Sequence, residues 1–595
     1  MAKFSTLATA VSGMNAAQAG LYVTGHNMAN TDTAGYTRQR VLQKDFFSQN
    51  IGFNGIGLLQ LGLGTDVAGI RQVRDRFLDM SYRAEAGKLD FYYAKTVTGA
   101  EIENIIGELQ SQYSTDSVIK DLWDAINELS IDPSSIATRG TFVSTAITFI
   151  DKANNIYDRL YGYQLNLNEQ VKQTVTRINQ LVIEIDRYNV LIVQNEQTND
   201  RANDFRDARN NCLDELSHLL DIDYVERPGG RIDIMAHGNE LLVNGVINRL
   251  GLRQTAAGYS FVEPVFTTRK DVLEFGEDAK PLFKMTGQVS SNNGNDKGRL
   301  WGLLVSRGLY PADYTHSTEF VTQQTEYNYP PDPADYAGGI NGDAYKKAKF
   351  EYDRWRFNAT QCVIPKVMIE LDTIVHAIVT LINNTVAPYV ADAGGNFIKD
   401  PNAPYDLNYD NTKGFEIFVR KYEPYNRRFD AAGNYIIEDP ADVYSLYSVG
   451  NIKINPLLLD ADGYNLIALM LADSETDQPG GVSDNRTVLN ELLEKWKSKL
   501  ISFSGREPMS VDDAYRQFVT NIAAETRESI NFTDQQEVLL QQVDFKRSSI
   551  SGVSLDEEMK NMMIYQHAYN ASARVINTID SMIDRVVNGT GRVGR

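Results

Sequence analysis

The chain is poor in the residues from which catalytic and metal-binding sites are usually built. Its 595 residues include only two cysteines, Cys212 and Cys362, and six histidines. Two cysteines cannot form a disulfide framework or a four-cysteine zinc site. No two histidines have the spacing of zinc ligands, and neither a G-x-S-x-G nucleophile motif nor a G-x-x-x-x-G-K-[ST] phosphate loop occurs. The sequence therefore predicts a protein that is not an enzyme and that holds no metal or cofactor.

Long apolar runs and an excess of positive charge are also missing. No stretch of 18 apolar residues exists, so no membrane insertion is expected. The first residues, MAKFSTLATAVSGMNAAQ, have no continuous apolar run and no small-residue cleavage site, so we expect no Sec-type signal. A secretion route that reads an uncleaved N-terminus stays open. With 58 basic and 78 acidic residues the net charge is −20, which argues against nucleic acid and anionic membranes as partners.

Proline is absent from both ends of the chain. None of the 17 prolines precedes Pro133 or follows Pro508, and ten of them lie within residues 301–450. Because proline interrupts helices, the two ends can form long helices, whereas the centre favours loops and strands. This distribution predicts a multidomain α plus β protein in which a β-rich centre is inserted into a helical scaffold.

Both ends carry apolar residues at the alternating spacings of three and four that are typical of a coiled coil. The N-terminal stripe consists of Phe4, Leu7, Val11, Met14 and Leu21, with Gln18 as its polar member. The C-terminal stripe includes Leu555, Met559, Met562, Tyr569, Ile576 and Ile583. Ser554 and Glu557 have the spacing of a capping box at the start of that helix. Neither helix can bury its stripe alone, so the stripes pair within one chain or with neighbouring copies, and the period does not choose between the two.

Between the ends, the periodicity predicts further helices at about 98–130, 139–162, 165–199, 205–220 and 356–384, and from about 484 onward. Residues 231–266 alternate over short runs that are separated by glycine and asparagine turns, which predicts β-hairpins. Gly62-Leu63-Gly64 follows a stretch rich in glycine and asparagine, and we expect a loop rather than a strand before it.

These patterns divide the chain into four predicted units. Residues 1–40 and 548–595 form a discontinuous coiled-coil core domain. Residues 41–222, 356–385 and 484–547 form a discontinuous helical-bundle domain. Residues 223–355 form a β-rich inserted domain, and residues 386–483 form a second insert of irregular or β structure.

The turn after the N-terminal helix reads H-N-M-A-N-T-D-T-A-G-Y from His26 to Tyr36. This resembles the N-N-[IL]-A-N-x-N-T-x-G-[FY] signature of bacterial flagellar axial proteins, which build the rod, the hook and the hook–filament junction. The motif positions that match are Asn27, Ala29, Asn30, Thr33, Gly35 and Tyr36. His26 and Asp32 stand where that family usually has Asn, and both keep a small polar turn.

Other segments are similar to one family among the axial proteins, hook-associated protein 1 (FlgK), which forms the first hook–filament junction. They are G-L-G-T-D-V at 62–67, N-D-F at 203–205, L-D-E-L-S at 213–217, E-L-L-V-N-G at 240–245, G-R-L-W-G-L-L at 298–304 and S-G-V-S-L-D-E-E-M at 551–559. The similarity covers roughly 1–305 and 485–595, in order.

The resemblance implies a structural subunit of the bacterial flagellum that is secreted by flagellar type III export and acts outside the cell. Copies would form a ring at the hook–filament junction, adapt the hook mechanically to the filament and permit filament assembly, on which motility depends. The implied partners are further copies, the hook protein, the second hook–filament junction protein and an export chaperone that binds the C-terminal helix. The stripe residues of both terminal helices are the implied core and assembly contacts.

Three other functions remain open at this point. The chain is also compatible with another flagellar axial protein, such as a hook or rod subunit, which would share both terminal motifs. An adhesin or glycan-binding function could be carried on the tyrosine-rich insert at the cell surface. An enzyme displayed on the flagellum is a third possibility, and the missing motifs argue against it.

Overall fold

A computed structural model of the chain describes residues 2–46, 48–54, 57–107, 114–198, 201–256, 258–266, 280–317, 331–336, 339–406, 413–471, 482–503 and 507–589. Within these ranges the α-helices are α1 (Ala2–Ala29), α2 (Arg76–Ile106), α3 (Thr115–Ile131), α4 (Ile136–Asn195), α5 (Asn203–Leu219), α6 (Arg299–Arg307), α7 (Asp343–Thr360), α8 (Val363–Val386), α9 (Val482–Lys497), α10 (Val511–Ser551) and α11 (Leu555–Asp584).

The strands in the same ranges form small antiparallel sheets. They are β1 (Gln39–Asp45), β2 (Ser48–Asn54), β3 (Gly57–Gly62), β4 (Thr65–Gln72), β5 (Ile222–Glu226), β6 (Ile232–Ala236), β7 (Asn239–Val243), β8 (Val246–Ile247), β9 (Leu250–Gln254), β10 (Val262–Phe266), β11 (Lys280–Pro281), β12 (Tyr389–Ala391), β13 (Phe397–Lys399), β14 (Phe418–Arg420) and β15 (Ile452–Ile454). The predicted class, α plus β with helical ends, is confirmed.

The central helix α4 is unbroken over 60 residues. The predicted interruption near residue 163 is wrong, because Leu160, Gln164 and Leu167 are all buried along one face. Gly162, between them, faces open space and needs no special backbone conformation. Packing along the whole helix outweighs the cost of about 1 kcal/mol for one glycine in a helix interior.

The single helix predicted at 98–130 is instead the end of α2 and the whole of α3. Gly107 follows α2 with a φ of 71°, and its N–H bonds to the carbonyl of Glu103. α3 begins after Ser114, whose hydroxyl accepts a 3.1 Å hydrogen bond from the N–H of Ser117. Glycine and serine at these positions are typical helix-ending and helix-starting residues.

α2 and α10 pack side by side in opposite directions. Thr96 and Thr533 share a 2.9 Å hydrogen bond between their hydroxyls, and the ring of Tyr92 stacks on Phe532 with centroids 4.8 Å apart. A Cβ on Gly99 would lie 2.6 Å from Thr526 Oγ1, so the two backbones approach closely at this glycine.

The hairpins predicted at 231–266 are confirmed. β5, β6, β7 and β8 form one sheet in that order, and β9, β10 and β11 form another with β10 in the middle. The turn residues His237 and Asn244 have positive φ angles of 47° and 51°, and a glycine follows each of them. These left-handed positions are what short hairpin turns require.

A long antiparallel ribbon lies between α1 and α2, where we expected a loop and then helices. β1 pairs with β4 and β2 pairs with β3, so Gly62 ends a strand rather than a loop. The predicted helical unit 41–222 therefore begins with about thirty residues of β structure. Periodicity missed these strands because β1 and β4 have few buried residues and show no clear alternation.

One contiguous core joins the helical body to both inserts. It extends from Phe91 on α2 through Leu250 and Ile417 in the inserts to Ile522 on α10. The buried apolar residues described for α1 and α11 lie outside this cluster, and they are Ala10, Ala16, Ala17, Val23 and Ile579. The four-unit division of the chain stays a prediction.

The second insert contains a duplicated unit that the sequence analysis missed. Residues 392–401 read D-A-G-G-N-F-I-K-D-P, and residues 430–440 read D-A-A-G-N-Y-I-I-E-D-P. In each copy the first Asp accepts hydrogen bonds from two backbone N–H groups, with distances of 2.8 and 2.8 Å for Asp392 and of 2.8 and 2.9 Å for Asp430. Gly395 in the first copy and Gly433 in the second have φ angles of 84° and 86°. The two turns thus share sequence, backbone conformation and hydrogen bonds.

Candidate assembly site

α1 and α11 pack against each other through small residues. A Cβ on Gly20 would lie 2.5 Å from the ring of Tyr565, and one on Gly13 would lie 3.2 Å from Ser572 Oγ. Ala16 and Ala17 on the same side of α1 are 3% exposed. Such residues allow close approach of two helix backbones and leave no room for the large side chains of a coiled-coil seam.

The predicted stripe of α1 consequently lies on a different face. Leu7, Met14 and Leu21 are only half-buried, and Val11 is 37% exposed. The side chain of Phe4 lies outside the described residues. The terminal helices do pair within the chain, as one of the two alternatives held, but this pairing uses the alanine and glycine face and leaves the apolar stripe open.

The predicted stripe of α11 is divided. Met562, Tyr569, Ile576 and Ile583 are half-buried, whereas Leu555 and Met559 are 47% and 46% exposed. The sequence analysis did not select Ile564, Val575 and Met582, which form a further row of exposed apolar side chains on α11. At the open end of the pair, a groove of about 370 Å³ is lined mainly by Thr6, Val575, Ile579, Met582 and Ile583.

Asn27 is the structural centre of the motif after α1. It is 1% exposed. Its Nδ2 donates to Gln39 O (2.9 Å) and to Glu558 Oε2 (3.1 Å). Its Oδ1 accepts from Tyr36 Oη (2.8 Å) and from Gln39 N (3.0 Å). The amide thus uses both donors and both lone pairs, and it joins α1, the turn, β1 and α11.

The other motif residues shape the turn itself. Ala29 is the last residue of α1. Asn30 Nδ2 donates to His26 O (3.0 Å), and Thr33 Oγ1 donates to Asn30 Oδ1 (3.2 Å). Gly35 has a φ of 76°, and a Cβ there would overlap the amide of Asn211 on α5. Glycine is therefore required by both conformation and space.

Tyr36 connects the turn to the charges around it. His26 Nδ1 lies 2.8 Å from the Tyr36 hydroxyl, which in turn donates to Asn27. Burial, followed by the charges of Asp207, Asp204 and Glu558, raises the pKa of Tyr36 well above its usual value. The phenol therefore keeps the proton that it donates.

Glu558 and Arg38 link the turn to the start of α11. Arg38 Nε donates to Glu558 Oε1 at 2.8 Å, and Arg38 Nη1 lies 2.8 Å from Glu557 Oε2. The Glu558 side chain is 2% exposed, whereas that of Glu557 is 62% exposed. Ser554 occupies the N-cap position but makes no side-chain cap hydrogen bond. The predicted capping box is thus wrong, because Glu557 pairs with Arg38 instead.

A second polar cluster fixes the ribbon to α5. Asp207 accepts from Thr37 N (3.2 Å) and from Gln72 Nε2 (2.7 Å). Burial raises the pKa of Asp207 to about 6, although the hydrogen bonds from Thr37 and the charge of Arg74 act in the opposite direction. Asn203 Nδ2 on α5 donates to Gln39 Oε1 (3.1 Å). Gln39 on β1 is therefore bound both by Asn27 of α1 and by Asn203 of α5.

A cluster of ion pairs that the sequence analysis did not predict joins α2, α5 and α10. Arg83 on α2 and Arg547 on α10 both bind Asp214 on α5, at 2.7 and 2.9 Å. These partners are more than one hundred residues apart in the chain, and no periodicity signals such a pair. Arg83 and Asp214 both stand in segments that resemble the family, whereas Arg547 was not singled out.

The described residues contain no group of three or more His, Cys, Asp or Glu side chains placed to hold a metal ion. None of the helices in the described part of the chain is long and apolar enough to cross a membrane. The geometry around the terminal helices is that of a packing surface.

Comparison with known proteins identifies this arrangement. Residues 100–312 match the family model described as the flagellar hook-associated protein FlgK helical domain. Residues 7–37 match the flagella basal body rod protein model, and residues 547–589 match the C-terminal model of the flagellar basal body rod FlgEFG proteins.

Relatives match along the whole chain. Flagellar hook-associated protein 1 of Bacillus subtilis is 26% identical over 598 residues, which cover 100% of this chain and 99% of the relative. The protein of the same name from Escherichia coli is 24% identical and covers 98% and 99%. The flagellar hook junction protein FlgK from Burkholderia pseudomallei shares the fold, with a TM-score of 0.50, 10% identity and coverage of 79% of this chain and 100% of the solved one.

The matches at both ends and the paired terminal helices define the class, which is that of structural subunits of the bacterial flagellum. The central helical match and the full-length relatives separate this chain from rod and hook subunits, and the chain is similar along its whole length to flagellar hook-associated protein 1.

Proposed function

We propose that copies of this chain form the ring at the hook–filament junction, where they adapt the hook to the filament and permit filament assembly. The open stripe of α1 carries this proposal. Leu7, Val11 and Met14 stay half-buried or exposed although α1 is already paired with α11. An apolar stripe that the chain does not cover itself can be buried by a neighbouring subunit.

The names of the relatives support the location. They are hook-associated proteins and a hook junction protein. These names support the hook as one expected neighbour and the second junction protein as the other. The role is structural rather than enzymatic, and the chain would reach its place outside the cell through the flagellar export route.

An export chaperone is the remaining proposed partner. Leu555, Met559 and Met563 on α11 are each about half-exposed. Before α1 and α11 meet, still more of this surface would be uncovered, and uncovered apolar surface favours aggregation. A chaperone that covers α11 until secretion would prevent this.

Deletion of the gene tests the location. We expect cells with complete hooks, no filaments and flagellin released into the medium. Cells without hooks would contradict the proposal and favour a hook or rod subunit.

A point variant tests the surface in the full-length chain. Val11→Asp should give a folded, exported protein that no longer supports filaments, because a charge on the stripe cannot be buried by a neighbour. Asn15→Asp is the matched control, since it introduces the same charge at an exposed polar position of the same helix. Equal filament numbers for both variants would contradict a role of the stripe in assembly.

A further inference from the structure

The ribbon after α1 contains two like charges that face each other across its strands. Arg40 on β1 is directly opposite Arg71 on β4 in the antiparallel register. Like charges in this position repel each other and weaken the pairing of the two strands. The fold therefore keeps a repulsion in this arginine pair that a single substitution would remove.

The other charged residues that face each other across strands have opposite signs. In the strands that the structure describes, Lys44 faces Asp66 within the same ribbon, and Arg253 faces Glu263 between β9 and β10. Both of these are also ion pairs, with nitrogen–oxygen distances of 3.3 and 2.7 Å. The arginine pair is thus an exception to how this chain places charges across its described strands.

Neither member of the arginine pair is neutralised by its own subunit. Both side chains are exposed, and within the described ranges neither forms an ion pair with a carboxylate. The neighbouring arginines along the chain, Arg38, Arg74 and Arg76, each have a carboxylate partner. Two positive charges are therefore available on this part of the ribbon.

The arginine pair lies on the face of the ribbon opposite the one that is docked on the helical body. Successive side chains of a strand alternate between its two faces. Gln39 and Gln72, each next to one of the arginines, bind Asn203 and Asp207 of α5. Val41, on the same face as these glutamines, is 7% exposed. The ribbon is thus held through one face, and its other face offers two guanidinium groups.

We propose that the arginine pair is a docking site for carboxylate groups on a second copy of this chain. The proposal rests on the assembly of copies into a ring. A guanidinium group binds a carboxylate through two parallel hydrogen bonds, and the 78 acidic residues of the chain outnumber its 58 basic residues. The carboxylates must come from another surface than the arginine pair, so the contact joins different faces of two copies, as ring closure requires.

The position of the ribbon favours a second copy as the occupant. Gln39, at one end of the ribbon, is bound by Asn27 near the end of α1. The N–H of Thr65, at the start of β4, donates to Ser12 Oγ (3.2 Å) on the same helix. Ser12 follows Val11, which belongs to the open apolar stripe. A subunit that covers this stripe would therefore lie beside the ribbon as well.

Arg71→Glu separates the effect of the charge on the fold from its effect on assembly. The new carboxylate faces Arg40 and should form an ion pair within the ribbon, as Lys44 and Asp66 do. Hydrogen exchange of β1 and β4 in the purified full-length chain should therefore be as slow as in the wild type or slower. In cells we expect about a tenfold loss of filaments, because a close charge pair across an interface contributes about this factor in affinity or more.

Three further variants complete this test. Arg40→Glu changes the other member of the arginine pair, should act in the same way and serves if Arg71→Glu does not fold. Arg71→Lys keeps the charge and should support filaments. Arg187→Glu, at an exposed position of α4, is the matched control and should leave filament numbers unchanged. Normal filament numbers with Arg71→Glu, an equal loss with Arg187→Glu, or faster exchange of the ribbon in Arg71→Glu would overturn the proposal.

Cross-linking with a carbodiimide, which joins an amine to a contacting carboxylate, identifies the partner. In flagella that carry Arg71→Lys, we expect a link from position 71 to an acidic residue of the same sequence, and the purified monomer should lack this link. A link to a different protein, or none, would overturn the proposal and leave the location at the junction intact. Missing hooks in the deletion strain would contradict that location, whereas a link between two copies would still support this surface.

Discussion

Asn27 on α1 donates a 3.1 Å hydrogen bond to Glu558 on α11, although 531 residues separate the two in the chain. The bond is buried, and both side chains are further held by Gln39, Tyr36 and Arg38. The motif after α1 therefore has a physical role beyond forming a turn. It fixes the register in which the two ends of the chain meet.

Replacement of Asn27 by Ala should destabilise the junction of the terminal helices by about 2–4 kcal/mol. The change leaves a carboxylate oxygen of the buried Glu558 without its amide donor and deprives the Tyr36 hydroxyl of its acceptor, so that only His26 Nδ1 stays beside it. Each unsatisfied group costs roughly 1–3 kcal/mol. Hydrogen exchange along α1 and α11 measures the effect. Asn15→Ala, at an exposed position of the same helix, should change protection little.

Gly20→Ala should force α1 and α11 apart. The added methyl group would lie 2.5 Å from the ring of Tyr565, and overpacking of this kind typically costs about 1–3 kcal/mol. Gly25→Ala is the matched control, because nothing lies within 4 Å of its added Cβ, and it should stabilise α1 by up to about 1 kcal/mol. Thermal unfolding compares the stabilities of the Gly20→Ala and Gly25→Ala variants. Equal effects would show that Gly20 is not a close-contact position.

The neighbouring glutamates of α11 should respond differently to neutralisation. Glu558→Gln removes a carboxylate whose side chain is 2% exposed and brings the new amide to the Nδ2 donor of Asn27, so we expect a loss of about 1–3 kcal/mol although Arg38 keeps Glu557. Glu557→Gln removes an exposed partner of the same arginine and should cost less than about 1 kcal/mol. Urea unfolding, monitored through the helical signal of α1 and α11, measures the loss of stability in each of the two variants. A larger loss for Glu557→Gln would contradict the assigned burial.

His218 should make the helical body slightly less stable in base. Its hydrogen bond to Asp90 raises the pKa of His218 above its usual value, even though burial acts in the opposite direction. A base with a raised pKa contributes stability that is fully present below its unfolded pKa, about 6.5, and is lost as the pH rises through the folded pKa. The stability difference between the wild type and His218→Gln should therefore shrink from pH 6 to pH 9. The pair is partly exposed, so we expect less than about 1 kcal/mol. A difference that grows with pH would be inconsistent with this pairing.

The sequence alone predicted the helical ends, the β-rich centre and the hairpins near residue 240, because proline placement and side-chain periodicity are local properties. It also located the motif from Asn27 to Tyr36 and the two apolar stripes. It failed near residue 163, where the two predicted helices are one helix with a continuous buried face. It also failed at the ribbon of β1 to β4, in which β1 and β4 have few buried side chains and a weak alternation.

Only the tertiary structure decided how those elements meet. The stripe of α1 predicted a seam, but Gly20 permits a backbone approach to Tyr565 that large side chains would prevent. The partners of Glu558, Asp207 and Asp214 are determined by which buried charges the fold brings within hydrogen-bond distance. Local patterns set which surfaces a helix offers, whereas close packing and the cost of an unpaired buried charge determine which of those surfaces are used.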